Sequence, residues 1–523
     1  MQNFDWRKLQ NGSDIRGVAL AGVPDEPVNL TPEVAQRLGN AFVAWLVSKL
    51  GKAAKDLRLA IGRDSRLSGP VLMQAVVDGI AAAGSSVYDL GMASTPAMFM
   101  TTVTPGFDCD GAIMLTASHL PFNRNGLKFF TAAGGLDKSD IRAILTLAEG
   151  LSRDLEVVSK DVESLAIENA ASVTIGQIRE RDFISVYAEQ LVEKIRTTVN
   201  HPEQFEQPLK GLKIVVDAGN GAGGFYASKV LEPLGADTTG SQFLEPDGLF
   251  PNHIPNPEDA VAMASICRAV IDHQADFGII FDTDVDRAAA VDHLGQELNR
   301  NRLIALISAI ALQSHPASTI VTDSITSDGL TQFIEQDLGG KHHRFQRGYK
   351  NVITEAMRLN QAGESCELAI ETSGHGAMRE NYFLDDGAYL ISKLLIELAK
   401  AKQAGRSLTD LIATLKEPVE SREIRIKIER EEFKTYGEQV IAQLQAFVQL
   451  QPDWTIVPKN YEGIRVACRS PEEEGWFLLR LSLHDPVLPL NIESNVSGGV
   501  AQIGDRLWPC LSAIECLDLS GFA

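Results

Sequence analysis

Phe277-Gly-Ile-Ile-Phe-Asp-Thr-Asp-Val-Asp-Arg287 joins an apolar run to three carboxylates at alternate positions. An apolar run of five residues closed by polar ones has the length and character of a strand buried on both faces. Runs of the same kind recur at Leu57–Asp64, Leu212–Asn220 and Ser318–Asp323, each followed by a polar turn and a helical stretch. That alternation predicts α/β layers with mainly parallel strands, and in such sheets ligands gather where the strands end. Beyond about residue 416 the pattern changes. Arg422–Glu429 alternates charged and apolar residues as an antiparallel strand does, so a smaller α+β domain is expected to close the chain. Helices are expected over Asp182–Arg196 and from residue 299 to 312, and the mixed polar segment 150–178 reads as a soft boundary.

The chain has 523 residues, which predicts roughly three to five domains. A net charge of -21 opposes binding to nucleic acid or anionic membranes, so an anionic substrate would need its own cluster of Arg and Lys. The six cysteines form no CxxC pair, which suits reduced thiols and a cytoplasmic location. The amino terminus lacks an apolar signal core, and the longest apolar stretch, Leu303–Leu312, is about half a membrane span. A soluble protein is expected.

Asp282, Asp284 and Asp286 are hard oxygen donors whose mutual repulsion a cation would offset, and Mg²⁺ suits carboxylate and phosphate oxygens together. An acidic turn is the plain alternative. A calcium EF-hand is excluded, because the sixth loop position is Arg287 instead of Gly and the twelfth is His293 instead of Glu. The same strand also resembles the start of haloacid-dehalogenase-type phosphatases. There Asp282 would be the nucleophile and Asp284 the acid/base, with Asp385 and Asp386 as metal ligands, although Asp286 breaks that pattern.

A second segment, Asp110 to Phe130, sets Ser118, His119 and Lys128 in a turn after an apolar run. Thr116-Ala-Ser-His-Leu120 is not the G-x-S-x-G elbow of a serine hydrolase. A hydroxyl that accepts and returns a phosphoryl group needs a divalent cation and basic groups around the phosphate. The three aspartates could supply the first; Arg16, Lys128 and Arg287 could supply the second.

Thr116-Ala-Ser118-His119-Leu-Pro121 with Asn125-Gly-Leu-Lys128, Asp282-x-Asp284-x-Asp286-Arg287, and Glu371-Thr-Ser373-Gly-His375 resemble, in order and spacing, motifs of the α-D-phosphohexomutases. These are the phosphoglucomutases and phosphomannomutases. The resemblance covers nearly the whole chain and implies three related α/β domains and a smaller α+β domain around a central cleft. The implied segments are 1–170 with the phosphoserine loop, 171–298 with the Mg²⁺ loop, 299–416 with the sugar loop and 417–523 with the phosphate loop.

By the same resemblance, Ser118 is the phosphoserine, and Asp282, Asp284 and Asp286 hold Mg²⁺ together with its phosphate. Lys128 and His119 are proton-transfer candidates, Arg16 and Arg287 belong to the reaction centre, and Arg63 and Asp64 support it. Glu371, Ser373 and His375 resemble the sugar-binding loop, and Arg347, Gly348 and Lys350 a basic turn that selects substrate. Arg480, Ser482 and His484 stand in the phosphate loop. That loop departs from the family's Arg-x-Ser-Asn-Thr-x-Pro, reading Arg480-Leu-Ser-Leu-His-Asp-Pro486, and Asn491 stands where another arginine often lies.

The implied reaction interconverts hexose 1- and 6-phosphates of glucose or mannose through a 1,6-bisphosphate, with a sugar bisphosphate as activator or phosphoryl donor. Hexose phosphates are the expected partners; nucleic acid and membranes are not. Because the fourth-domain loop is altered, an alternative is a synthase that releases glucose 1,6-bisphosphate made from a sugar-bisphosphate donor. A catalytically silent sugar-phosphate sensor is an alternative of another class.

Overall fold

The computed structural model describes residues 4–161, 176–482 and 485–522. His484, expected in the phosphate loop, lies outside the described residues. Packing groups residues 1–299, 373–377 and 381–408 into one compact unit, and residues 300–372, 378–380 and 409–523 into a second.

The first unit holds two sheets. In one, the strands run in the order Asp14–Val18, Arg124–Thr131, Gly111–Leu115, Arg58–Arg63, Ser86–Met92 and Ile178–Glu180. Gly111–Leu115, Arg58–Arg63 and Ser86–Met92 pair in parallel, and Arg124–Thr131 returns antiparallel on both sides. Gly111–Leu115 is buried along its whole length, which is why it reads as an unbroken apolar run. Gly126 is required where that return strand passes Arg16, since a Cβ there would lie 2.2 Å from the Ile15 carbonyl oxygen. This sheet extends to Glu180 through parallel pairing of Ile178–Glu180 with Ser86–Met92. The helix Lys138–Asp161 runs into the segment that reads as a soft boundary.

The second sheet pairs Ile214–Asp217 in parallel with Phe277–Phe281, which then pairs antiparallel with Ala288–Asp292. The tight return from Phe281 to Ala288 holds all three aspartates and Arg287. The expected helix is found as Phe183–Val199, with the Asp182 carboxylate accepting from the Ser185 N–H at its start. Helix Gly387–Gln403 packs in the same unit. Its cap, Asp386, accepts from the Tyr389 N–H at 2.8 Å and from the Tyr187 hydroxyl at 2.6 Å.

In the second unit, Lys341–Phe345, Thr319–Asp323 and Cys366–Ile370 form a parallel set. Helix Arg300–Ser314 begins as expected. Strand Glu420–Ile428 joins a six-stranded antiparallel sheet by pairing with Val487–Ser494 and Leu517–Asp518. Helices Phe433–Val448 and Gly499–Leu511 pack on that sheet over a core that includes Ile426, Leu444, Phe477, Leu490 and Leu507. The chain is thus three α/β domains followed by a β-rich α+β domain, as expected. All six cysteines are free thiols. Among the described residues no helix is long and apolar enough to cross a membrane.

Candidate active site

Ser118 follows strand Gly111–Leu115 directly, and its backbone is left-handed, with φ +51°. The Thr116 hydroxyl accepts from the Ser118 N–H at 2.9 Å and braces the turn. The Ser118 hydroxyl donates to Asp282 Oδ2 at 3.1 Å and accepts from Arg287 Nη2 at 2.9 Å. Residues far apart in the chain therefore meet on one oxygen atom.

Asp282, Asp284 and Asp286 present carboxylate oxygens within 4.8 Å of one another, all buried. Lys128 donates to Asp284 Oδ2 at 3.1 Å and also to Asp286 Oδ2. Thr95 grips Asp284 twice, by its hydroxyl to Oδ2 at 2.5 Å and by its N–H to the backbone carbonyl at 2.8 Å. Burial, followed by the charges of Asp286 and Asp284, pushes the Asp282 carboxyl well above the usual carboxylate range. Burial also opposes ionisation of Asp286, but Lys128, His375 and Arg287 outweigh it and hold that carboxyl low.

Asp284 Oδ1 and Asp286 Oδ1 are buried and make no hydrogen bond. A cluster of hard oxygens with two unused oxygen atoms fits a divalent cation. Asp286 also lies within 4.8 Å of ligand atoms of His375 and Asp385.

Arg287 is the hub of the site and is 2% exposed. It contacts Asp282 Oδ2 through Nε at 3.1 Å, Asn256 Oδ1 through Nη1 at 2.8 Å, and His119 Nδ1 through Nη2 at 2.8 Å. Burial and the adjacent Arg287 charge push the His119 imidazole down to about 3. His119 is therefore neutral near pH 7 with Nδ1 accepting from the guanidinium. We expect His119→Gln to leave both limbs of the pH–kcat profile between about pH 5 and 9 unmoved; the profile itself is the check.

His375 shows the opposite shift. Burial would lower it, but Asp385 at 2.6 Å and then Asp286 raise it to about 9. Arg16 donates to Asp14 Oδ2 at 2.9 Å and to the Thr116 carbonyl at 3.4 Å, just before the serine. Arg63 donates to the Asp64 carbonyl at 3.0 Å. Ser373 is buried in this unit.

The other expected substrate residues lie in the second unit. Gly348, with φ +117°, donates its N–H to Glu371 Oε1 at 2.6 Å, tying the basic turn to the glutamate. Lys350 is in the first turn of helix Tyr349–Gln361. Glu462 accepts from the Arg347 N–H at 3.1 Å and the Ser324 hydroxyl at 2.5 Å, and lies 3.7 Å from Arg480. Arg347 is 3.8 Å from Asp323, which also accepts from the Thr372 hydroxyl at 2.6 Å. The Ser482 hydroxyl accepts from the Asp485 N–H at 3.3 Å, and the Asn491 amide donates to Glu423 at 3.1 Å.

Models of phosphoglucomutase/phosphomannomutase α/β/α domains I, II and III match residues 7–153, 185–295 and 299–418. The chain belongs to the phosphoglucomutase/phosphomannomutase family. It is 30% identical over 505 residues to a phosphomannomutase/phosphoglucomutase of Pseudomonas putida, covering 96% of this chain and 95% of the relative. It is 29% identical over 502 residues to a phosphoglucomutase of Neisseria gonorrhoeae, covering 96% of each. A solved family protein of Burkholderia thailandensis superposes with a TM-score of 0.74 at 27% identity, covering 98% of each chain.

The protein is thus an enzyme of the α-D-phosphohexomutase superfamily, a phosphohexose mutase and intramolecular phosphotransferase. Membership displaces the phosphatase and sensor alternatives. The geometry agrees for the phosphatase, since Asp386, expected there as a ligand, is committed to a helix cap, Tyr187 and Asn381. Sequence reasoning did not single out Arg66, Thr95, Asn256 or Glu462. Arg66 and Asn256 stand in the polar stretches Gly62-Arg-Asp-Ser-Arg66 and Pro255-Asn-Pro-Glu258, a signal that Thr95 and Glu462 lack.

Proposed function

We propose that the enzyme interconverts the 1- and 6-phosphates of glucose or mannose by passing a phosphoryl group through Ser118. The observation that carries this reading is the Ser118 hydroxyl held by Asp282 at 3.1 Å and Arg287 at 2.9 Å beside the triple carboxylate. A sugar hydroxyl attacks phosphorus on phosphorylated Ser118; the new O–P bond forms as the Oγ–P bond breaks. Lys128 is the proton-transfer residue: the ammonium, held here by Asp284 and Asp286, gives its proton to the departing sugar oxygen, and the amine so formed takes one from the attacking sugar hydroxyl in the opposite transfer. Arg287, and Arg16 at the base of the serine turn, offset phosphoryl charge. His119 stays neutral and orients the guanidinium.

Asp282, Asp284 and Asp286 would hold Mg²⁺, which supplies neutralising charge on the phosphoryl oxygens. Glu371, Ser373 and His375 are assigned to sugar hydroxyls. Arg347, Gly348, Lys350, Arg480 and Ser482 are assigned to the phosphate that does not react. Glu371→Gln weakens a charge-assisted acceptor, so kcat/KM is expected to fall about 10- to 100-fold in initial-rate assays.

A second reading, release of the bisphosphate, is supported by the fourth-domain residues. Arg480 shares its charge with Glu462, and Asn491, which brings no charge, is bonded to Glu423. A phosphate grip with fewer free cations retains a bisphosphate less firmly. The test is product analysis over time with glucose, mannose and glucosamine monophosphates and a sugar-bisphosphate donor. Monophosphate isomer formed at trace donor, without bisphosphate accumulating, supports the mutase; bisphosphate accumulating at the donor's expense supports the second reading.

A further inference from the structure

Arg66 lies in the turn after strand Arg58–Arg63, and its side chain is completely buried. Burying a guanidinium is costly unless its fork of N–H groups is satisfied. Here the partners are backbone carbonyls of the loop that carries Ser118. Nη1 donates to Pro121 at 2.8 Å and Arg124 at 3.0 Å, while Nη2 donates to Leu120 at 2.6 Å and to the carbonyl of Ser118 itself. Asp64 supplies the counter-charge, 3.3 Å from Nε, and also accepts from the Arg66 N–H at 3.0 Å. The ring of Phe250 lies 5.3 Å from the guanidinium carbon. Phe250 reaches that position because residue 248 is glycine, where a Cβ would lie 2.5 Å from the Leu67 nitrogen.

We infer that Arg66 is a positioning residue for phosphoryl transfer, fixing the left-handed turn that aims the Ser118 hydroxyl at Asp282 and Arg287. The inference rests on the reading of Ser118 as the nucleophile. Four carbonyls gathered by one planar group restrain the loop across seven residues, from Ser118 to Arg124. A lysine cannot replace it, because an ammonium is a point donor without the fork. Arg66 touches no reacting atom and acts only through the backbone that holds one.

The test uses the full-length enzyme, phosphorylated by glucose 1,6-bisphosphate and then mixed with glucose 1-phosphate in a single turnover. In Arg66→Ala, transfer per phosphorylated molecule is expected to fall about 100-fold, since a displacement near 1 Å has that effect. KM is expected to stay within about twofold. Guanidinium ion at sub-denaturing concentration is expected to restore at least about tenfold of the lost rate by refilling the cavity. If Arg66→Ala does not fold, Arg66→Lys, which keeps the charge but not the fork, is read for the loss of single-turnover rate without the guanidinium arm.

A folded variant with the wild-type single-turnover rate overturns the inference. So does guanidinium that restores the melting temperature but not the rate, which marks a purely structural role. Failure of the underlying reading looks different: phosphate mapped to a residue other than Ser118 in the wild-type enzyme. In contrast, Ser118 phosphorylated and discharged at the normal rate in Arg66→Ala removes only the role of Arg66.

Discussion

Ser118→Ala is expected to lower turnover by about 10⁴-fold or more and to take up no phosphate from glucose 1,6-bisphosphate, read by initial rates and intact mass. The size follows from chemistry that has no substitute in the site. Among the described residues no other hydroxyl is held between Asp282 and Arg287, because the left-handed turn at Ser118 brings that oxygen to both partners. The fold is expected to survive the change. The loop is held by the Thr116 hydroxyl and by Arg66 through backbone atoms of Ser118, and neither contact depends on Ser118 Oγ.

Chelating divalent cations is expected to lower turnover by about 10³-fold, several kcal/mol of transition-state charge stabilisation. Three buried carboxylates face Lys128 and Arg287, and burial, followed by the charges of Asp286 and Asp284, pushes the Asp282 carboxyl up. Phosphate on Ser118 would add about two further negative charges. Cation binding and phosphorylation are therefore linked, and each must strengthen the other. Titration calorimetry is expected to show tighter Mg²⁺ binding to the phosphorylated enzyme than to Ser118→Ala. Equal affinity would contradict the shared site.

Much of this architecture is legible in the chain because its signals are local. Fully buried strands such as Gly111–Leu115 and Phe277–Phe281 read as unbroken apolar runs, and the polar residues at their ends include Ser118 and Asp282, which meet in the first unit. The antiparallel character of Glu420–Ile428 shows in its charged and apolar alternation, since one face is exposed. Contacts set by packing have no such signal. Arg66 bonds to carbonyls more than fifty residues away, and a carbonyl is the same whatever side chain stands beside it. Asn256 reaches Arg287 across 31 residues, and Thr95 reaches Asp284 across 189. Neither the neutrality of His119 nor the high His375 can be read from residue type, since each depends on which charges burial brings close. The grouping of helix Gly387–Gln403 with the first unit likewise follows from its buried contacts with Tyr187 and Tyr226 rather than from its place in the chain.

The most direct test of phosphoryl transfer through Ser118 is a pulse and chase on the wild-type enzyme. A labelled sugar bisphosphate loads the protein, a hexose monophosphate discharges it, and the modified residue is mapped at each time. The structure leads us to expect phosphate on Ser118, lost no more slowly than the enzyme turns over. A hydroxylamine-labile phosphate on Asp282, or turnover with no phosphate on the protein, would contradict it.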